Sequence, residues 1–587
     1  MAALAAAALG AGLAVGCRTG GGPGAGGAGR IGRRKRRRRA GRCPGRPDTA
    51  GLEKDHPLIA QYHWSKQTVS KNAPKAGGRL RIPMNDPNMW DPTDPSANNA
   101  STNWGYVYSR LLRPNTKLQD ALAGKNNLFE LVSEGDLAQS WEQPDDTTYV
   151  FKLRDNVTFH NFPPVNGRKM TAEDVVYSYT AYRQPQATAH VSLFRDVKAI
   201  EAVDATTVKI TTNKPVAYLL ASLTSPLPAV FAREAYERPG GLKPLPVIGT
   251  GPFTVKDYRA RGSITMDKNP NYFITGRPYL DGVDHTFLAD AAAGIAAFRT
   301  GQLDYLTVTG LDGLKQLQTT EGSNMDIHSN QQNSGGVQYH FGMKHDTAPW
   351  NDVRFRRALS LGLNREAHIA AIYQKGQYSL GFPTDWTSRP YKMANSDYGQ
   401  WYKYDPAEAK KLLQAAGIPD GYKIKLQART PGTVFADIAA LTIEDWKKIG
   451  ISLEFTPVDA VAFNGMYYSK QYTGMVMENF VTSGFDMDDY TYRILRTGEP
   501  ANYYNVSDPE LDNLVTEQQR VFDRKARQKL GDQVVSRDLD NIYRLWDISW
   551  YFIEAKRPYV QNVVSSDVYW WCFQWGSTAA IDCWFDK

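Results

Sequence analysis

From Gly77 onward the chain alternates short runs whose apolar residues repeat every second position with longer runs of helical period, and several helices open on an explicit capping signal. In Tyr149-Val150-Phe151-Lys152-Leu153, side chains two apart share a face, which predicts a half-buried strand. Asp405-Pro406-Ala407-Glu408 combines an N-cap, a proline at the first helical position and an acid three residues after the cap; Ala409, Leu412, Leu413 and Ala416 follow at helical spacing, and Gly417 is placed to end the helix. Thr171-Ala172-Glu173-Asp174 opens a second helix with Val175, Tyr179 and Tyr182 on one side. Asp352 caps a third, and Asp508-Pro509 begins a fourth. The helix carrying Trp446 runs through Gly450 into the alternating Ile451, Leu453 and Phe455. Strands and helices that interleave in this way predict a mixed α/β class.

At 587 residues the chain exceeds what one hydrophobic core serves, so two or three packed units are expected. The formal charge of +8 is a property of one end. Residues 1–50 hold eleven Lys and Arg against Asp48 alone, which leaves 58 basic and 60 acidic residues, or −2, for the rest. A nearly neutral body has no basic face for a phosphate backbone, so nucleic acid is not expected as a partner.

Residues 2–16 are almost all Ala, Gly, Leu and Val and end at Leu13-Ala14-Val15-Gly16-Cys17. This has the form of a secretory signal closed by a lipobox, with Cys17 as the lipidated residue. The block Arg33 to Arg39 that follows opposes export, and the competing reading treats the Gly/Ala/Arg-rich stretch to about Pro47 as no part of the mature protein. Beyond it, no run reaches the ~20 apolar residues of a membrane span.

Cys572 and Cys583 lie close together in sequence, either as a disulfide in an oxidising compartment or as two buried thiols. The chain has no Gly-x-Ser-x-Gly, no His-Glu-x-x-His and no Cys-x-x-Cys, and its nine histidines are scattered. His160 beside Phe159 reads as a hydrogen-bonded core residue. Asp486, Asp488 and Asp489 lack the spacing and central glycine of a calcium loop, so neither a metal nor a cofactor is expected. Gly249-Thr250-Gly251-Pro252 reads as a turn with unusual backbone angles, not a phosphate loop, because no Lys-Ser/Thr follows it. Arg354, Arg356 and Arg357 are expected at a surface or in local pairs.

The order of short motifs resembles the extracellular solute-binding proteins of family 5, the dipeptide- and oligopeptide-binding components of bacterial ABC importers. The resemblance runs through Leu137 to Trp141, Tyr149 to Arg154, Val157, Phe159 and His160, and Gly167 with Met170 to Val175. It continues in Gly249 to Phe253, Asn269 to Phe273, Pro278 to Asp281, Gly301 to Asp304, Asp352 to Leu359, Asn364-Arg365, and Asn502 through Asp508 to Asp512, covering roughly 77–570. It implies a two-lobed periplasmic-binding-protein-like α/β fold with an extra insert domain in lobe I and a hinge between the lobes. Lobe I is placed at 77–110, 235–330 and 558–587, the insert at 111–234 and lobe II at 331–557. The function implied is capture of an oligopeptide between closing lobes and delivery to a membrane permease, by a monomer outside the cytoplasmic membrane, without catalysis.

By position relative to these motifs, Trp104, Phe382, Trp386 and the segment from Phe480 through Ser483 to Asp486 are the candidate ligand-binding residues. In the oligopeptide binders a carboxylate shortly after a tryptophan pairs with the peptide ammonium; with Phe480 in the tryptophan's place, Ser483 stands where that aspartate would be. Either Asp486 substitutes, or the ligand lacks a free amine, and the second branch points to an oligosaccharide. The alternative of another class is a secreted hydrolase of peptides or glycans using Asp486 and Asp489 as acid and base.

Overall fold

In the computed structural model the residues described are 70–84, 90–94, 101–114, 133–184, 193–225, 227–288, 290–308, 311–329, 337–373, 379–380, 387, 398–430, 434–480, 486–550, 553–562 and 577–587. Near the start, Arg79–Pro83 lies parallel to Gly282–Thr286, and Ser263–Lys268 and Phe253–Arg259 continue that sheet in this order. A second, antiparallel sheet has the order Ala138–Asp145, Thr148–Leu153, Thr207–Thr212, Val197–Asp204. The expected alternation is present: Tyr149, Phe151 and Leu153 are buried and their neighbours are not. Helix Ala172–Ala181 closes this sheet with a capping box between Thr171 and Asp174. Both sheets share one apolar cluster, to which Leu80, Phe151, Tyr179 and Phe253 contribute. The C-terminal residues Ile581, Cys583 and Phe585 return to that same cluster.

A three-stranded sheet holds Ile553–Lys556 between Tyr305–Val308 and Asp326–Ser329, both antiparallel to it. Its own small core is formed from Phe298, Leu306, Leu314, Leu317 and Ala555.

The largest sheet has the order Ser379–Leu380, Leu545–Trp550, Val337–Met343, Met475–Phe480, Tyr422–Thr430, Ile451–Asp459. Its last three strands are parallel, and helix Phe435–Lys447 makes the crossover between Tyr422–Thr430 and Ile451–Asp459 that a parallel pair requires. Phe341, Phe355, Leu359, Trp446, Met477 and Trp546 are part of a separate core here. The chain passes twice between this sheet and the three-stranded one, from Ser329 to Val337 and from Trp550 to Ile553.

The helix starts follow the capping chemistry. The Asp405 carboxylate accepts the Glu408 N–H at 3.0 Å ahead of Pro406–Ala415, Gly417 follows it at φ +73°, and Asp352 and Asp508 cap Val353–Leu361 and Pro509–Glu517. Two expectations need correcting. Gly249 and Gly251 do not adopt left-handed angles; they are glycines because a Cβ would lie 2.1 Å from the Val107 carbonyl oxygen and 2.5 Å from the Val107 carbonyl carbon, respectively. Arg356 is not on the surface: it is buried and donates to the Asn541 carbonyl at 2.9 Å, while Arg357 donates to that of Asp540 at 2.9 Å and stacks on Trp401. The pair satisfies carbonyls left open at the end of helix Arg524–Asn541.

Candidate functional site

In open α/β sheets the crevice beyond the carboxyl ends of parallel strands is where ligands gather, because neighbouring connections diverge there. Arg429 stands one residue before the end of Tyr422–Thr430, and Glu478 and Asn479 come just before Phe480, the last residue of the adjacent Met475–Phe480. One Arg429 guanidinium nitrogen donates to both the Glu478 carboxylate and the Asn479 side-chain oxygen. The Arg429 head also sits 5.6 Å from the Phe463 ring centre, and Tyr339 meets Phe435 edge-on at 5.4 Å beside it. Burial drives the Glu478 carboxyl up to about 7 against the opposing pull of Arg429. Beneath Glu478 the Tyr467 and Tyr504 hydroxyls lie 2.8 Å apart, and Tyr504 reaches the His340 ring at 2.6 Å.

Sequence reasoning missed this pair. Its signal was an acid in the otherwise apolar Val476-Met477-Glu478, a strand buried on both faces, with an arginine at the end of another strand just before Pro431-Gly432.

A second polar cluster follows the same strand. Asp486 caps Met487–Tyr490 by accepting the Asp488 N–H at 2.8 Å, and its two oxygens meet the two terminal nitrogens of Arg527, one of them at 2.6 Å. Asp488 pairs with Arg195 and accepts from Gln518 at 2.9 Å and Gln519 at 2.6 Å. Burial pushes the Asp488 carboxyl up, and Arg195 pulls the other way. Both carboxylates therefore already carry matched cationic partners.

Of the other expected residues, Trp104 is fully buried in helix Ser101–Val107, within the first core. Phe480 ends its strand. Phe382, Trp386, Ser483, Cys17 and Cys572 lie outside the described residues. Cys583 is a buried free thiol, raised by its burial. His160 is a core residue: its backbone N–H donates to the Gly249 carbonyl at 2.8 Å, its Nδ1 takes the Gly249 N–H at 3.3 Å and its Nε2 meets the Gly251 carbonyl at 3.1 Å. Burial lowers it to about 4, so the ring is neutral and ties the glycine turn in place. Among the described residues no group of three metal-ligating side chains is found, and no helix is long and apolar enough to cross a membrane.

The profile of bacterial extracellular solute-binding proteins, family 5 Middle, matches residues 133–502, more than half of the chain. The chain belongs to this family. It is 28% identical over 435 residues to heme-binding protein A of Haemophilus influenzae, covering 68% of this chain and 75% of that protein. It is 27% identical over 433 residues to a dipeptide-binding protein of Pseudomonas aeruginosa, covering 68% and 77%. Among solved structures, the periplasmic binding protein DppA of Helicobacter pylori in complex with the peptide STSA superimposes with a TM-score of 0.72 at 21% identity, covering 87% of this chain and 99% of that one. The oligopeptide-binding protein AppA of Bacillus subtilis in complex with a nonapeptide does so with 0.71 at 19%, covering 88% and 100%. The family 5 chain described here thus has the two-lobed α/β fold of periplasmic binding proteins.

Proposed function

We propose that this family 5 protein is the receptor of an ABC importer that captures oligopeptides outside the cytoplasmic membrane and presents them, as a monomer, to a permease driven by a cytoplasmic ATPase. The observation that carries the reading is the placement of Arg429, Glu478 and Asn479 side by side at the ends of adjacent parallel strands. A peptide brings a carboxylate and many amides, and this trio offers a cation together with hydrogen-bonding acid and amide side chains for them. Lobe I (77–110, 235–330, 558–587), the insert (111–234) and lobe II (331–557) would close around the two chain passages near 330 and 551, with the end of lobe II moved back from 557 to about 550 because Ile553–Lys556 pairs with Tyr305–Val308 and Asp326–Ser329 of lobe I. Two passages, and not one, restrict the motion to a bend. Phe382, Trp386, Phe480 and Ser483 remain proposed contacts, and Cys17 the proposed lipid anchor. No step of catalysis is assigned.

One observation favours an oligosaccharide instead: Asp486, the acid nearest the place of the family's ammonium partner, is already gripped by Arg527. A hydrolase gains nothing from it, since an acid held in a bidentate ion pair is poorly placed to transfer protons. Native mass spectrometry of the purified protein, with release and sequencing of whatever is carried through purification, tests the proposal. Bound masses that fragment as peptides are expected; hexose ladders would replace peptide by saccharide.

A further inference from the structure

The lobes of such a receptor must be held together by something once they meet. The cluster around Asp488 supplies a contact between parts of the chain that otherwise belong to different cores. Arg195 stands just before strand Val197–Asp204 of the antiparallel sheet, and its guanidinium donates to Asp488 from the far side of the two chain passages. The same guanidinium lies 4.7 Å from the ring centre of Tyr218, on its own side, and 4.3 Å from that of Tyr492, on the other. A cation between two aromatic faces, one from each part, is bound by both only while they touch. Around it, Lys214 donates to the Gln519 side chain at 3.0 Å, and the Ala217 N–H donates to the Gln519 carbonyl at 2.7 Å. Gln519 in turn holds Asp488.

The position of this contact relative to the passages gives it a role. Val337–Met343 receives the first passage and Leu545–Trp550 begins the second, and Val337 pairs with Trp550 at the edge where Met475–Phe480 also ends. Asp486 and Asp488 follow from that same edge. The covalent passages and the Arg195 contact therefore bridge the same gap between the two cores.

We propose that Arg195, Asp488 and Tyr492 form a clasp that holds the lobes closed, so that Arg195 is a positioning residue for solute capture. The inference rests on the reading of this chain as a receptor that closes. Its physical logic is that the clasp exchanges two solvated groups for one buried ion pair. The neighbours that keep Asp488 in place, Gln518 and Gln519, belong to the same lobe, so the acid is organised before Arg195 arrives. Loss of Arg195 leaves Asp488 buried and unmatched unless the lobes part and water enters.

The test is small-angle X-ray scattering of the full, ligand-free chain and its variants. Arg195→Gln and Tyr492→Leu should each increase the radius of gyration, with Arg195→Lys between them and the unaltered chain, and the exchange Arg195→Asp with Asp488→Arg should reverse part of the expansion. Asp486→Asn, which breaks an ion pair inside one lobe, should not expand the chain. Far-UV circular dichroism shows which variants are folded, and Tyr492→Leu, which keeps the ion pair, serves if Arg195→Gln does not fold. An unchanged radius in Arg195→Gln and Tyr492→Leu overturns the clasp, as does equal expansion in Asp486→Asn. Expansion in a chain that binds no solute would sink the receptor reading and leave the clasp standing; an unchanged radius with solute binding intact would sink the clasp alone.

Discussion

Arg429 and Glu478 lie on adjacent parallel strands, and the arginine donates to the glutamate at the point where both strands end. The acid is deeply buried, and its carboxyl is raised from 4.5 to about 7, burial being the larger influence and Arg429 opposing it. The folded chain therefore holds a proton here that the unfolded chain has released. Stability from this group is present below about 4.5 and is lost as pH rises to about 7, by on the order of 3 kcal/mol. Urea unfolding of the parent chain and Glu478→Gln across this window checks it: the gap between the two curves should narrow steadily with rising acidity.

His368 makes the opposite case. It lies 2.9 Å from Asp547 and 3.2 Å from Asp445, fully enclosed. Burial lowers its affinity for a proton, yet the two aspartates outweigh that and hold it up to about 9. A raised base stabilises fully below its unfolded value of 6.5, and this contribution should fade as pH climbs through about 9. His368→Gln leaves two buried acids facing a neutral group and should cost about 3 kcal/mol at neutral pH. Chemical denaturation at neutral and alkaline pH would show the difference between the two proteins shrinking at the alkaline end.

Asp486 separates stability from recognition. Because both its oxygens meet Arg527, Asp486→Ala strands a buried guanidinium and should lower stability by roughly 3–5 kcal/mol. If the acid instead served as a ligand's ammonium partner, solute affinity would collapse while the denaturation midpoint barely moved. Measuring both on the same preparation decides the matter.

Gly249 is fixed by proximity. With a Cβ placed 2.1 Å from the Val107 carbonyl oxygen, Gly249→Ala must push helix Ser101–Val107 away and disturb the His160 hydrogen bonds, at a cost of about 1–3 kcal/mol. A thermal unfolding curve that matched the parent would show that the loop gives way freely.

The elements that the sequence announced are those whose signals are local. Asp405-Pro406, Thr171 with Asp174, and Asp508-Pro509 start helices through bonds to backbone groups two or three residues on, so their chemistry is complete within one turn. The alternation in Tyr149 to Leu153 likewise needs only a sheet with one buried face. Arg429 with Glu478, and Arg195 with Asp488, are separated by 49 and 293 residues, and nothing in either neighbourhood names the other. Gly249 was legible as a special glycine, but its reason was a helix almost 150 residues earlier, not its own torsion angle. The ordered family motifs bridged part of that gap, since they implied the lobes that bring such pairs together. They did not distinguish an aspartate that meets a ligand from one that meets Arg527.

The most direct test of the receptor reading is thermal unfolding of the full chain against separate pools of oligopeptides and oligosaccharides. A solute that binds only the folded state raises its stability by about 2.7 kcal/mol at a hundredfold excess over Kd. The account predicts a rise in Tm that grows with the concentration of the peptide pool; a Tm that stays fixed in that pool while saccharides raise it would contradict the choice of ligand, and a Tm that neither pool moves would contradict the account itself.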